Sequence, residues 1–278
     1  MALGIIGGSG LYQLPGLVDG ERRSVTTPWG APSDALLHGR LGGTDLVFLP
    51  RHGRGHGIAP SELNTRANIA ALKAAGCTAI VSLSACGSFR ENLVPGSFVL
   101  VDQIVDHTRG RPNSFFGDGI VAHVSLADPM CGRLRGLIAA TDAACVAGGT
   151  YLVMEGPQFS TRAESRLYRA AALDVIGMTA MPEAALAREA ELCYQTVAMV
   201  TDFDSWHDDN AVDVAQVIAV LAANAGRAQA LVAALAAGWV DAPCPCHRAL
   251  DHAIITDRAA WPPATVARLQ GIAGRVLG

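Results

Sequence analysis

Lysine is almost missing from this chain. Lys73 is the single lysine among 278 residues, against 21 Lys and Arg together. A Walker A loop ends in Gly-Lys-Ser/Thr, so that kind of nucleoside triphosphate site is excluded. Lys73 sits in an ordinary helical pattern, which also argues against Schiff-base chemistry. Anion recognition therefore falls to arginine, whose planar fork of donors matches phosphate. Charge is sparse too, at 17% of residues with a net charge of −4. That balance gives no reason to expect nucleic acid or an anionic membrane as partner. The N-terminus lacks a basic n-region and turns to glycine after Ile6, so no signal peptide is expected. The most apolar long stretch, Val214 to Gly238, carries Gln216, Asn224, Arg227 and Gln229 and reads as an Ala-rich packed helix, not a membrane span. A cytoplasmic protein is the expectation. The seven cysteines are an odd count, and Cys77, Cys145 and Cys193 lie in apolar segments. They are expected as buried thiols without a disulfide framework.

What is present is a core. Half the residues are hydrophobic, ample for one large buried interior. Strand-length apolar runs occur around Ile5 and at 45–49, 79–83, 97–101, 151–154, 174–177 and 196–200. Helical patterns separate them at 61–75, 131–147, 161–171, 181–191 and 212–237. Such alternation predicts an α/β layered fold with a mostly parallel sheet. Gly76 stands where the first helix should stop, and Thr161 with Glu164 has the spacing of a capping box. No linker divides the chain, so residues 1–278 are expected as a single domain. Residues 239–278, with "DAPCPCHRAL" and "WPP", are expected as a C-terminal arm closed by a helix from about Pro263.

Ligands of α/β sheets bind at the carboxyl ends of the strands, and polar groups gather there. After the first run comes "GGSG" with Ser9; after the second, "PRHGRGH" with Arg51 and His52; after the third, "SACGS" with Ser84 and Ala85. Later runs are followed by "MEGPQFSTRAES", by "GMT" with Met178 and Thr179, and by "VTDFDSW" with Asp202 and Asp204. Hydroxyls in glycine-bearing loops, with exposed backbone N–H groups and an arginine, suit an anion. "GGSG" lacks the G-x-G-x-x-G spacing, so a dinucleotide is not indicated. His52 and His56 are spaced i, i+4, but the intervening glycines disfavour a helix and no HEXXH glutamate is present; no metal is expected there. His52 is expected as an anion donor. Asp202 and Asp204 flank Phe203, and on an extended segment both carboxylates would point the same way. They could hold a metal, act as acid and base, hydrogen-bond a nitrogen heterocycle, or cap a turn. For Cys244-Pro245-Cys246-His247 a zinc site, a strained C-x-C disulfide and free thiols are open, and free thiols are expected in a reducing compartment.

Taken together, "GGSGLY", "RHGRGH", "NTRANIAALKAAG", "ACGSFRENLVPGSFVLVDQIVDHT", "EGPQFSTRAES", "GMTAMPEAALARE" and "TDFDSWH" resemble the purine nucleoside phosphorylase family. More closely, they are similar to its methylthioadenosine phosphorylase branch, over about residues 3–235. The resemblance implies a single α/β domain with a central twisted mixed β-sheet flanked by helices. It implies cleavage of an N-glycosidic bond by orthophosphate, a co-substrate, without metal or organic cofactor, in a homotrimer or hexamer. It assigns phosphate to Ser9, Arg51, His52, Ser84, Ala85 and Thr179, and the ribose to Met178. Phe159 would stack on the base, with Asp202 and Asp204 facing N7 and the 6-amino group. His123 would reach a neighbouring subunit's 5′ pocket, and Val214 would line the methylthio pocket. The 6-oxopurine branch carries Glu where this chain has Ser160, and Asn where it has Asp202. A carboxylate acceptor suits an exocyclic amine, so phosphorolysis of 5′-methylthioadenosine is the expected reaction. A 6-oxopurine nucleoside or 5′-methylthioinosine is the alternative, because "GMTAMPEAALARE" is shared with enzymes of that type. A nucleoside hydrolase is the further alternative.

Overall fold

Residues 77–88 carry small and β-branched side chains and are buried almost throughout, as a central strand requires. In the computed structural model, which describes residues 1–8, 14–207 and 212–278, this segment is the axis of the sheet. The strands are β1 (Ala2–Gly7), β2 (Val18–Arg23), β3 (Leu36–Leu41), β4 (Thr44–Pro50), β5 (Cys77–Ser88), β6 (Phe98–Leu100), β7 (Gln103–Asp106), β8 (Val146–Ala147), β9 (Thr150–Val153), β10 (Val175–Gly177) and β11 (Cys193–Asp202). The helices are α1 (Thr65–Ala74), α2 (Gly132–Thr141), α3 (Arg162–Ala170), α4 (Ala180–Glu189), α5 (Val214–Ala237) and α6 (Pro263–Leu277).

The strands form one mixed sheet. β5 pairs in parallel with β1 and β11, and its C-terminal end takes β10 antiparallel, with Ile176 opposite Gly87. β4, β3 and β2 extend the β1 side, β3 lying antiparallel to both neighbours. β9 and β7 extend the β10 side in parallel. The alternation of strand side chains supplies two core faces. Ile6, Ile80, Tyr194 and Ala198 pack with α1, α4 and α6; Leu3, Ile5, Val81 and Val197 pack with α2 and the second half of α5. α5 is long and apolar enough to cross a membrane, at mean hydropathy 1.5. Its Ala228, Leu231, Val232, Leu235 and Ala236 are instead built into the core. Leu269, Ile272 and Leu277 of α6 join the opposite core, so residues beyond 239 are packed onto the sheet.

Local signals hold where they are strong. Thr161 and Glu164 form the reciprocal capping box of α3, and Gly76, at φ +82°, ends α1. Three expectations change. Residues 84–87 are not a loop but part of β5, because β10 and β11 pair with them. α2 stops at Thr141 rather than running to 147, because Val146 and Ala147 pair with β6 as β8. β2, β3 and β7 escape an apolar-run search because they lie at or near the sheet's margins; the residues of β2 are all exposed.

A side chain at Gly177 would overlap the buried Tyr151 hydroxyl. Gly177→Ala should therefore destabilise the fold by about 1–3 kcal/mol, read as a fall in the urea midpoint.

Candidate active site

Arg51 follows β4 and is buried, which obliges the fold to pair it. Its Nε donates to Glu183 Oε1 at 2.6 Å, one terminal nitrogen to Leu83 O at 3.1 Å and the other to Ser82 Oγ at 2.6 Å. Glu183 Oε2 accepts from Ser82 Oγ at 2.7 Å and from the Tyr194 hydroxyl at 2.8 Å. Burial works against the guanidinium charge, but the adjoining carboxylate more than offsets it, and Arg51 stays charged. These bonds leave one N–H on each terminal nitrogen unused, a two-pronged donor held on a fixed base. Glu183, Ser82 and Tyr194 carry no role in the sequence reading. Glu183 lies within "GMTAMPEAALARE", but nothing in that stretch says it faces Arg51.

Next along β5, Ser84 Oγ lies 2.9 Å from Thr179 Oγ1 and 3.2 Å from the Tyr151 hydroxyl. Thr179 heads α4, yet its hydroxyl does not cap that helix. The antiparallel register carries this grouping: with Ile176 opposite Gly87, the chain from β10 brings Met178 past Ala85 and Thr179 onto Ser84. Arg111 fixes the turn, donating to Met178 O at 2.6 Å and to Met181 O at 3.1 Å, with its Nε on Glu155 Oε1 at 3.0 Å. Sequence reasoning missed Arg111 because its segment has no regular pattern.

His52 departs from its expected role. Its Nδ1 meets Ile58 O at 2.9 Å, and a carbonyl can only accept, so Nδ1 carries the proton. Burial, then the neighbouring Arg51 charge, pushes the ring from 6.5 down to about 4. Neutral His52 thus presents a lone pair at Nε2, an acceptor rather than a donor.

The aspartate pair is also not the extended arrangement expected. β11 ends at Asp202, and Asp204 enters a one-turn 3-10 helix at φ +51°. The chain turns because Asp202 Oδ1 accepts the backbone N–H of Asp204 at 2.8 Å, while Oδ2 accepts from Thr201 Oγ1 at 2.7 Å. Burial raises the affinity of Asp202 for a proton, those two hydrogen bonds holding the rise back. Burial raises Asp204 likewise, with the Ser165 side chain the first of the groups opposing it. Asp204 is only 4% exposed, and neither its Oδ2 nor the buried Ser165 hydroxyl that acts on it makes a hydrogen bond of normal geometry. Ser205 Oγ donates to Ser160 O at 2.8 Å, tying "GPQFS" to "TDFDS". Ser160 is buried and Phe159 beside it is 43% exposed.

β5 spans both groups. Ser84 is three residues before Gly87, which lies beside Asp202 in the β11 register, so the hydroxyl cluster and the aspartates are about 10 Å apart along the strand. His123 and Val214 are exposed on the chain surface and are not brought into this grouping. Ser9 lies outside the described residues.

The family described as the phosphorylase superfamily matches residues 2–237, and the chain belongs to it. The S-methyl-5'-thioadenosine phosphorylase of Cereibacter sphaeroides is 56% identical, over 99% of this chain and 98% of the relative. That of Chloroflexus aurantiacus is 51% identical, over 98% and 97%. A crystal structure of a methylthioadenosine phosphorylase from an antarctic soil metagenomic library superposes with TM-score 0.92 at 45% identity, over 97% of this chain and 98% of that one. The Schistosoma mansoni methylthioadenosine phosphorylase in complex with adenine gives TM-score 0.80 at 40% identity, over 87% and 93%.

Glu183→Gln should cost about 3–5 kcal/mol of stability, since it leaves a buried guanidinium without its counter-charge; urea denaturation reads it. Because the folded His52 binds its proton less readily than the unfolded one, its contribution is full above pH 6.5 and lost as pH falls toward about 4. His52→Gln should flatten that acid limb of stability by about 2–3 kcal/mol, measured as urea midpoint against pH.

Proposed function

We propose that this chain catalyses phosphorolysis of 5′-methylthioadenosine, giving adenine and 5-methylthioribose 1-phosphate. The observation that carries the reading is the buried carboxylate of Asp204 with an unpartnered oxygen, next to Asp202 and about 10 Å along β5 from the Arg51–Ser84–Thr179 group. A lone buried acceptor is costly unless a ligand supplies a donor, and the 6-amino group of adenine is such a donor. The names of the relatives support the same substrate, as does a Schistosoma mansoni adenosine/methylthioadenosine phosphorylase variant in complex with methylthioadenosine, at TM-score 0.81.

In this reading the two spare N–H groups of Arg51 and the hydroxyls of Ser84 and Thr179 hold orthophosphate, with Ser9 and the Ala85 backbone contributing. Neutral His52 accepts the proton of a monoprotonated phosphate at Nε2, which turns the bare oxygens toward the sugar. Met178 meets the ribose and Phe159 the base. Asp202, whose burial favours its protonated form, shares a proton with N7 so that adenine leaves near neutrality. The anomeric carbon becomes cation-like, and phosphate is both its counter-charge and its nucleophile. No metal or organic cofactor takes part in the reaction. A 6-oxopurine would need a donor at O6, which Asp204 can be only while protonated.

The active form is a homotrimer or hexamer. Val214 and Ile218 leave an exposed apolar stripe on the first turns of α5, and the exposure of His123 leaves it free to face a neighbouring subunit in this reading. The protein is cytoplasmic, in keeping with seven cysteines that form no disulfide.

Initial rates on methylthioadenosine, adenosine and methylthioinosine should rank in that order and require phosphate; base release at full rate in phosphate-free buffer would identify a hydrolase instead. Asp202→Asn should lower kcat/KM by about 10²–10³-fold with the phosphate KM little changed. An unaltered kcat/KM would remove Asp202 from the reaction.

A further inference from the structure

Far from the site just described, four cysteine sulfurs converge. Cys131 is the N-cap of α2, Cys193 opens β11, and Cys244 and Cys246 flank Pro245 on the chain leaving α5. All four are buried, and their Sγ atoms lie within 4.8 Å of one another. Cys131 Sγ and Cys244 Sγ are 3.6 Å apart. The geometry points to a structural zinc site formed by Cys131, Cys193, Cys244 and Cys246, which fastens residues 239–278 to the core.

The arrangement suits zinc on several counts. A tetrahedral centre with Zn–S bonds of about 2.3 Å has sulfur-to-sulfur edges of about 3.8 Å, so these sulfurs need only small adjustments to close around one ion. Four protein ligands leave no open position, which marks a structural rather than a catalytic site. Soft thiolates in a tetrahedral set favour zinc over the oxygen-seeking cations. Zinc with four thiolates keeps two net negative charges, and donors surround the cluster. The Leu134 N–H reaches Cys131 Sγ at 3.4 Å, and His247 Nε2 is 3.5 Å from Cys193 Sγ. Arg133 points its guanidinium at Cys193 Sγ from 3.9 Å while bonding Val240 O at 3.2 Å and lying over the Trp239 ring. The N-terminal end of α2 adds its positive dipole. Such outer contacts are what orient and stabilise a metal–thiolate centre.

A metal looks implausible from residues 244–247 alone, because that stretch offers two thiols. The fold supplies the other two from α2 and β11. Two disulfides would draw the four sulfurs into two bonded pairs at about 2.05 Å, whereas here all four are mutually close and unbonded, with Cys131 Sγ and Cys244 Sγ 3.6 Å apart. Cys193 and Asp202 are at opposite ends of β11, about 30 Å apart at strand rise. The ion therefore acts on the stability of the arm and not on the reacting groups.

The test is metal analysis of the full-length protein, expressed with zinc in the medium and purified without chelator or reductant. Inductively coupled plasma mass spectrometry should find roughly one zinc per chain, as a single four-thiolate site requires. Titration with p-hydroxymercuribenzoate should release it in step with thiol modification. Cobalt loaded in its place should show thiolate-to-cobalt charge transfer with tetrahedral d–d bands. Cys131→Ser and Cys246→Ser should lose the zinc and melt at lower temperature, with kcat unchanged below the transition; Cys145→Ser should keep it. Should the serine variants fail to fold, the wild-type metal content and cobalt spectrum still decide. Less than about a tenth of an equivalent of zinc, iron in place of zinc, or an intact mass showing disulfides among these cysteines overturns the assignment.

Discussion

Arg51 and Glu183 meet at 2.6 Å, each side chain only 3% exposed, and the rest of the site rests on that contact. A guanidinium buried this deeply is tolerable only with a counter-charge and filled hydrogen bonds. Glu183 supplies the charge, Ser82 and Leu83 the acceptors, and Tyr194 a donor that steadies the carboxylate. The pair joins the end of β4 to α4 across β5, so Arg51 and the helix that follows Thr179 cannot move independently. In the proposed reaction this rigidity keeps orthophosphate aimed at the sugar without reorganisation during bond cleavage.

β5 then acts as a ruler. Its neighbours change along its length: β1 beside the first half, β10 beside the end, and β11 alongside from Ala79 to Gly87. Ser84 and Gly87, three residues apart, therefore face different partners. One meets the hydroxyls of Thr179 and Tyr151; the other abuts Asp202. The two groups, which differ in chemistry, are thereby held about 10 Å apart along one rigid strand.

Much of this was legible beforehand, for identifiable reasons. Strand-length apolar runs mark β4, β9 and β10, and the capping residues of α3 and the glycine after α1 mark helix ends by local chemistry alone. Arg51 and Asp202 share an edge because β4 and β11 run parallel to β1 and β5, whereas Thr179 reaches Ser84 through the antiparallel pairing of β10 with β5. Other features were invisible. Ser84 to Gly87 reads as a turn by composition, and only pairing with β10 and β11 makes it strand. Asp202 and Asp204 read as an alternating pair until the Asp202 carboxylate captures the Asp204 amide and bends the chain. His52 reads as a donor until its partner, Ile58 O, is known.

By itself the sequence determined which chemistry was available: arginine instead of lysine as the anion donor, a pair of aspartates at the end of an apolar run, hydroxyls and glycines near strand ends. These are properties of residue types and short spacings, and they survive without coordinates. Tertiary structure decided which groups answer one another. Glu183 reaches Arg51 over 132 positions, and Cys131 reaches Cys244 over 113. Contacts at such separation depend on strand order and helix packing, which no local pattern encodes. So does the tautomer of a buried histidine, set by whichever carbonyl the fold lays against it.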